Sequence, residues 1–546
     1  MSGNADAARS WDPLALPAFR AIWLATVISN IGTSMQDVGA TWLMLSLDAR
    51  PTTIALLQAC VALPIVVIGL PAGVLADIVD RRRLLIFANG LMILAAGGLA
   101  FLTFLQRVDP SVLLIFTLCL SAGAALSAPA FQAVVPELAP GPMLSPGVAL
   151  NSLGVNIART IGPGAGGLLV SALGPAAVFA LNAMSTLAVL SALFLWKRDP
   201  PQTSLPPEHF LSAVRMSFRY VANAPAVIVV LARAVLFFVL ASVTWAMLPL
   251  LAYGRLDLSA GEYGVILGAL GAGAIAGAFV LPRLRSAVGV ERSSQFATAL
   301  CGGAAISLAF ASSIWAVLFV MPVFGLGWIA SLTILNINVQ SAVAGWVRAR
   351  VLAVYVVALS AGMAGGSLVW GQVAALSSPA TALLVGGIAQ IFSLLLVLVL
   401  PFKDSADIDT APAGLDTTPL LLDPEHDHAP VLVTTDYRVP FEHTEDFLSK
   451  LDRLAKSRRR AGAMGWWRWS DASDATLHRE TYLVESWTDY LRARSRQTRS
   501  DESHEDAVVA LTVPDEPPIR RLFRGPDAKS SRRTPQVQSP QQGDTT

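Results

Sequence analysis

Apolar stretches of roughly twenty or more residues, long enough to cross a hydrocarbon core about 30 Å thick, recur twelve times before residue 403. Their approximate cores are 19–46, 52–76, 83–105, 111–134, 145–172, 174–196, 226–252, 260–284, 291–312, 314–341, 348–376 and 378–402. One polar break is long, Lys197 to Pro225, and it follows the sixth stretch, so the pattern predicts six helices, a central loop and six more. Inside that loop Leu211, Val214, Phe218 and Val221 recur at helical spacing beside Arg215 and Arg219, which predicts an amphipathic helix on the membrane surface. The start is polar and leads straight into the helical array, so no cleaved signal peptide is expected.

Composition agrees with a membrane class. The 546 residues are 54% hydrophobic and 14% charged, against about 25% charged in an ordinary soluble chain, and the mean hydropathy is +0.57. A net charge of +1 gives no basic field, and no nucleic-acid motif occurs, so nucleic acid is excluded as a partner. Cys60, Cys119 and Cys301 lie far apart in apolar segments and read as small buried hydrophobes; no metal site or cofactor is expected. Basic residues set the orientation: fourteen fall in the loops on the side of the N-terminus and only Arg50, Arg107 and Arg255 on the other, which puts both termini in the cytoplasm.

The segments expected from this pattern are a cytoplasmic N-terminus (1–18), a six-helix bundle (19–196), the central loop (197–225), a second six-helix bundle (226–402), an acidic linker (403–428), a polar domain (429–525) and a disordered tail (526–546). The two bundles echo each other. Gly73 and Arg81 are matched 204 positions later by Gly277 and Arg285, and Gln132 is matched 208 positions later by Gln340, which supports two parallel six-helix repeats with a site between them.

After the second helix the chain reads Gly73-Val-Leu-Ala-Asp77-Ile-Val-Asp80-Arg81-Arg82-Arg83, which resembles the loop signature of the major facilitator superfamily, except that Ile78 stands where Arg is common and Asp80 where Gly is usual. The resemblance implies that Gly73, Asp77, Arg81 and Arg82 belong to a cytoplasmic gating loop, with Asp77 and Arg81 in a latch between the two halves; charge alone would make the arginines topology signals. In the fifth helix Gly162-Pro163-Gly-Ala-Gly166-Gly167 resembles that superfamily's antiporter motif, commoner in exporters than importers, or else serves only close helix packing. The longer runs PAFQAVVPEL, VALNSLGVNIARTIGPGAGGLL, VFALNAMSTL, SNIGTSMQDVGATWL and VRARVLAVYVVALSAGMAGGSLVWG resemble the transmembrane secretion effector branch, which holds the enterobactin exporter, over nearly all of residues 15 to 402.

Charge within the membrane is costly and marks function. Asp37 lies mid-helix on a polar stripe with Asn30, Thr33, Ser34 and Thr41; the fifth helix has its own stripe, Ser152, Asn156 and Arg159. The stripes point to a shared aqueous path in which Asp37 carries the coupling proton and Arg159 tunes it or binds an anionic substrate. A fixed Asp37–Arg159 ion pair holding two helices is the structural alternative. Arg233 is a second cationic candidate for the path or a snorkelling residue, and Gln58, Gln132, Asn182, Asn336 and Gln340 either line the path or bond helices together.

Past the acidic linker, whose His426 and His428 read as solvated, order resumes. Strands are predicted at Val431–Val439, Met464–Trp469 and Thr481–Trp487, and one near Val508–Val513. A helix carries Phe447, Leu451 and Leu454 and ends in a solvated or membrane-facing Arg458-Arg459-Arg460 run, and another bears Arg492, Arg496 and Arg499. The order resembles the ferredoxin-like, dimeric α/β-barrel group that includes antibiotic-biosynthesis monooxygenases. It implies ligand sensing or dimerisation through the tail, with Trp466, Trp467, Trp469 and Trp487 as core or dimer contacts; cofactorless oxygenation is the enzymatic alternative.

The expectation is therefore an all-α polytopic membrane protein of twelve helices in two repeats with a cytoplasmic α+β ferredoxin-like domain. Its expected activity is secondary transport rather than catalysis: export of a small molecule (drug, siderophore or other metabolite) by alternating access with proton antiport, or import as the alternative. No GxxxxGK[ST] loop occurs, which disfavours an ATP-driven pump.

Overall fold

The computed structural model describes residues 11–196, 210–402, 429–495 and 497–525. The predicted linker, with its two histidines, and the stretch 526–546 lie outside the described residues. Contacts divide the described residues into two compact units: the membrane bundle, and a smaller unit built from 215–228, 342–348 and the described residues between 429 and 525.

The first six helices of the bundle are α1 (Pro17–Leu47), α2 (Pro51–Ile78), α3 (Arg81–Phe104), α4 (Pro110–Leu138), α5 (Leu144–Leu173) and α6 (Pro175–Leu195). After α7 (Phe210–Ala222) come α8 (Pro225–Leu250), α9 (Ala260–Phe310), α10 (Ile314–Ser341), α11 (Arg348–Leu376) and α12 (Pro379–Phe392). Eight described helices are long and apolar enough to cross a membrane. The polar-striped α1 and α5 and the short α12 add three. The twelfth comes from α9, which breaks at Gly289, where φ is +82°, a backbone angle only glycine adopts without strain. Sequence punctuation starts these helices. Proline opens α1, α2, α4, α6 and α12, where its missing N–H costs nothing. Asp80 and Asp109 cap α3 and α4 by accepting from the backbone N–H of Arg83 and Val112.

At one end of the first half, Phe19, Ile22, Leu85, Val134, Leu150 and Leu193 form a single buried cluster that joins α1, α3, α4, α5 and α6. The two halves meet from the middle of the bundle toward the other end. There a side chain on Gly264 of α9 would stand 2.9 Å from the Pro163 carbonyl and 3.0 Å from the Gly167 Cα of α5, so the two backbones touch. Ser171 Oγ accepts from the Gly261 N–H at 2.8 Å across the same seam. Small residues also join α2 to α11, with Ala59, Ala62 and Ala364 in one cluster. Without a hydrophobic driving force between helices in lipid, such close approach is what holds them.

In the smaller unit β1 (Val431–Arg438), β2 (Gly465–Ser470), β3 (Leu477–Val484) and β4 (Ile519–Arg524) form an antiparallel sheet in the order β2-β3-β1-β4. With α13 (Thr444–Ala461) after β1, and α14 (Trp487–Ser495) and α15 (Arg499–Val509) after β3, the chain order is β-α-β-β-α-β, the split β-α-β arrangement of ferredoxin-like modules. Phe447, Leu451 and Leu454 are buried as their spacing requires. The fourth strand falls at Ile519–Arg524 rather than near Val508–Val513, because the capping box of Thr498 and Asp501 starts a helix that runs through Val509. That box also splits the single expected arginine-bearing helix into α14 and α15.

The arginine run is not a solvated helix end. Arg458 is buried and donates to Glu480 at 3.4 Å and Glu505 at 3.1 Å, while Arg460 donates to Asp501 at 2.7 Å. Glu480, with no exposed surface, also accepts from Tyr437 Oη at 3.0 Å and Trp466 Nε1 at 2.9 Å, and Arg520 pairs with Glu505. The core of this unit is thus partly ionic. The amphipathic α7 also has a protein partner: Met216 and Tyr220 are buried, Arg219 donates to the Ala463 carbonyl at 3.2 Å, and the Tyr220 ring stands edge-on to Trp346 at 5.7 Å. Leu211 and Val214 have side chains outside the described residues.

Two expectations follow. Substituting Gly167→Val or Gly264→Val lowers stability by about 1–3 kcal/mol through overpacking, whereas Gly268→Ala, with open space around its Cβ position, leaves it unchanged; thermal unfolding in detergent compares them. In the smaller unit, burial pushes the Glu505 carboxyl up, but Arg458 and Arg520 outweigh burial and hold it at about 2. Its contribution is present above the ordinary 4.5 and is lost as pH falls from about 4.5 toward 2. Glu480→Ala, which takes one of the two acids from buried Arg458 and the acceptor from Tyr437 Oη and Trp466 Nε1, costs about 3–5 kcal/mol, against about 0.5 kcal/mol or less for the exposed Glu442→Ala; limited proteolysis of this unit in the full chain reads both effects.

Candidate functional site

Contacts on α5 fix which way each of its faces looks. Gly154, Gly162 and Gly166 meet Val27, Ser34 and Met35 of α1, while Thr160, Pro163 and Gly167 meet Gly271, Gly264 and Ala260 of α9. Ile161 and Leu168, 55% and 61% exposed, lie on the outer side that faces lipid. At about 100° per residue, Ser152, Asn156 and Arg159 fall on the arc between the α1 and α9 contacts, away from Ile161 and Leu168. All three side chains are exposed, so this arc looks into the open interior of the bundle.

The same reading applies to α1. Ile31, Ser34 and Met35 face α5, and Gly32 and Gly39 face α6. Asp37 stands on the remaining arc with its side chain exposed, deep in the bundle by its place mid-helix. Its own carbonyl accepts from Thr41 Oγ1 at 2.8 Å. The expected stripe is therefore divided: Ser34 supports the seam with Gly162, Thr33 donates to Asn182 Oδ1 at 3.3 Å, and Asn30 is half-buried.

Asp37 and Arg159 do not pair. Gly162 is level with Ile31 and Ser34, which places Asp37 above that level and Arg159 below it, about 10 Å apart along the axis at 1.5 Å per residue. Neither side chain has a hydrogen-bond or ion-pair partner among the described residues. The fixed ion pair is absent from this structure. Above Asp37, Trp42 packs on Tyr253 and Tyr263 with ring centres 5.5 and 6.0 Å away. Tyr253 sits in a π-helical turn, Leu251–Arg255, a form common at functional sites.

Arg233 stands apart from these two. It donates to Glu291 at 2.7 Å and to Ser294 Oγ at 3.3 Å, and its guanidinium lies 3.6 Å over the Phe402 ring. The Phe402 N–H donates to the same Glu291 at 2.9 Å. The group ties α8, the second stretch of α9 and the chain after α12 together, so Arg233 is engaged in packing here. Gln58 lies half-buried beside the Ala59 contact of α2 with α11. Gln340 donates to Asn336 one turn away at 2.5 Å, and Asn182 donates to buried Gln36 at 2.5 Å, a helix-joining role.

In the gating loop, Arg81 donates to Glu137 at 2.7 Å and to the Ala133 carbonyl, and Arg82 donates to the Leu193 and Phe194 carbonyls at 2.8 Å. Both arginines thus sit at helix C-termini of their own half, where the dipole favours cations. No neighbour stands within 4 Å of a Cβ built on Gly73, and the Asp77 side chain lies outside the described residues. Sequence reasoning missed Gln36, Glu137, Glu291 and the aromatic trio. For Glu137 and Glu291 the signal was present: each is a lone acid at a helix end near an arginine-bearing neighbour.

Over residues 8–527 the chain matches the family described as transmembrane secretion effector. It is 28% identical over 396 residues to the enterobactin exporter EntS of Escherichia coli O1:K1, a stretch covering 70% of this chain and 92% of that one. With the enterobactin exporter EntS of Shigella boydii serotype 4 it shares 30% identity over 273 residues, 49% of this chain and 64% of that relative's length. Among solved structures it superposes on a POT family transporter in complex with 5-aminolevulinic acid (TM-score 0.58, 13% identity, covering 70% of this chain and 96% of that one). It also superposes on a bacterial homolog of the human lysosomal transporter Spinster in an inward-facing, unoccupied conformation (TM-score 0.54, 15% identity, 71% and 95%). These likenesses are of fold alone. The chain belongs to the transmembrane secretion effector family of the major facilitator superfamily.

Proposed function

We propose that the protein exports a small molecule across the cytoplasmic membrane by alternating access, in exchange for protons, with both termini in the cytoplasm. The observation that carries this reading is the pair of unpartnered charges, Asp37 and Arg159, on the interior arcs of two helices whose other faces are committed to packing. The half-to-half contacts gather toward the end bearing the loops at 48–50, 174 and 256–259, which leaves the Arg81 end as the way in. Basic loops at that end support its being cytoplasmic, and the names of the relatives support export over import. Asp37 takes the proton: it is an unpaired acid on the interior arc, away from helix ends, and alternating access opens it to each side of the membrane in turn.

Metabolites inside and outside cells expressing wild type, Asp37→Asn or no protein test the reading. One compound is expected to leave only with wild type. Undiminished export by Asp37→Asn places the proton carrier elsewhere, and accumulation inside wild-type cells makes the protein an importer.

For the smaller unit the reading is pairing with a second copy through the open face of the sheet. Trp467, Trp469 and Phe523 are 47%, 57% and 50% exposed there, around a hollow of about 810 Å³ that Leu432, Thr481 and Arg479 also line. An exposed apolar face of this kind marks an interaction site. Mass photometry of the full chain in nanodiscs is expected to show dimers that Trp469→Glu weakens by about ten-fold or more; monomeric wild type leaves ligand sensing or oxygenation as the role of this face.

A further inference from the structure

Among the described residues, Arg159 has no counter-charge. Apart from Asp37, the acids of the described membrane bundle stand at or beyond helix ends. Most are visibly engaged there. Asp48 pairs with Arg50, Glu137 with Arg81 and Glu291 with Arg233, while Asp80, Asp109 and Glu262 serve as caps. Asp37 is about 10 Å away along the axis. Asn156 and Ser152 cannot serve either: Asn156 Nδ2 donates to the Ser152 carbonyl at 2.9 Å and Ser152 Oγ donates to the Val148 carbonyl at 3.1 Å, so neither offers an anion.

A guanidinium held bare at this depth is expensive. It has five N–H donors in a rigid fork that matches carboxylate and phosphate oxygens two at a time. Arg233, in the same bundle, shows what this fold does with an arginine it uses for packing: it supplies an acid, a hydroxyl and an aromatic face. Arg159 receives none of these and faces the interior.

We infer that the exported compound is an anion at neutral pH, whose carboxylate, phenolate or phosphate takes the fork of Arg159, and that Arg159 selects cargo by charge. This rests on the exporter reading above and narrows it to a class of cargo. In exchange for protons, Asp37 gives up its proton to the cytoplasm before cargo leaves, so the loaded site holds Arg159, the cargo anion and the Asp37 carboxylate with one net negative charge. The inside-negative membrane potential then favours the outward step of the loaded protein.

The test compares cells expressing wild type, Arg159→Gln, Arg159→Lys or no protein, with equal membrane abundance checked by blotting. Growth media and cell extracts are separated on an anion exchanger at pH 7 and read by untargeted mass spectrometry. Compounds that wild type delivers to the medium, and that protein-free cells retain, are expected to bind the exchanger. Arg159→Gln is expected to lower their export about ten-fold or more, and Arg159→Lys to keep part of it, because the charge remains and the fork is lost. Neutral or cationic cargo overturns the inference, as does wild-type export by Arg159→Gln. If the variants fail to reach the membrane, the charge of the wild-type cargo decides alone. Identical media with and without wild type overturn the exporter reading itself, a result distinct from cargo of the wrong charge.

Discussion

The seam of small residues along α5 is the constraint on which the rest of the membrane bundle depends. Gly162 and Gly166 let α1 approach one face, and Gly167 with the Pro163 carbonyl lets α9 of the other half approach another. Two of the four sides of the helix are then spent, one on its own half and one on the opposite half. What remains is a lipid side, apolar at Ile161 and Leu168, and an interior arc where Ser152, Asn156 and Arg159 sit. Close packing between the halves and exposure of a charge between them are consequences of the same register. A helix that both bridges the halves and presents a charge to the space between them can transmit what happens at that charge to the contact that holds the halves together.

Charge is treated in two ways along the chain. At helix ends it is neutralised locally: Arg81 with Glu137, Arg233 with Glu291, and the aspartates that cap α3 and α4. In the interior it is left open, at Asp37 and Arg159. Placing a bare charge there costs free energy, and the contrast between the two treatments is what supports the roles proposed for Asp37 and Arg159. The smaller unit follows the first rule in an extreme form, with Arg458, Glu480, Glu505 and Arg520 closing a buried network between sheet and helices.

Much of this was legible in the sequence because membrane helices must be long, apolar and internally hydrogen-bonded. The twelve stretches, the break after the sixth and the glycine motif all declare themselves. Residue wheels alone could not show that Asp37 and Arg159 stand at different depths, since depth depends on how α1 and α5 are offset, a property of the Gly162–Ser34 contact. Arg233 looked like an interior charge for want of its partner: Glu291 lies 58 residues on, after a break at Gly289 that hydropathy does not register as a site. In the smaller unit a run of three arginines resembles a solvated end, and only the sheet register, which sets Thr435 opposite Glu480, reveals an acid waiting beneath α13.

The shared interior is tested most directly by thiol accessibility. Single cysteines replacing Ser152, Asn156 and, as the lipid-side control, Ile161, in a background without Cys60, Cys119 and Cys301, would be exposed to a membrane-impermeant maleimide in inside-out and right-side-out vesicles. Ser152→Cys and Asn156→Cys are expected to react from the cytoplasmic side, and Ile161→Cys to stay unlabelled from either side. Labelling of Ile161→Cys with protection of the other two would contradict the placing of Arg159 on an open interior arc.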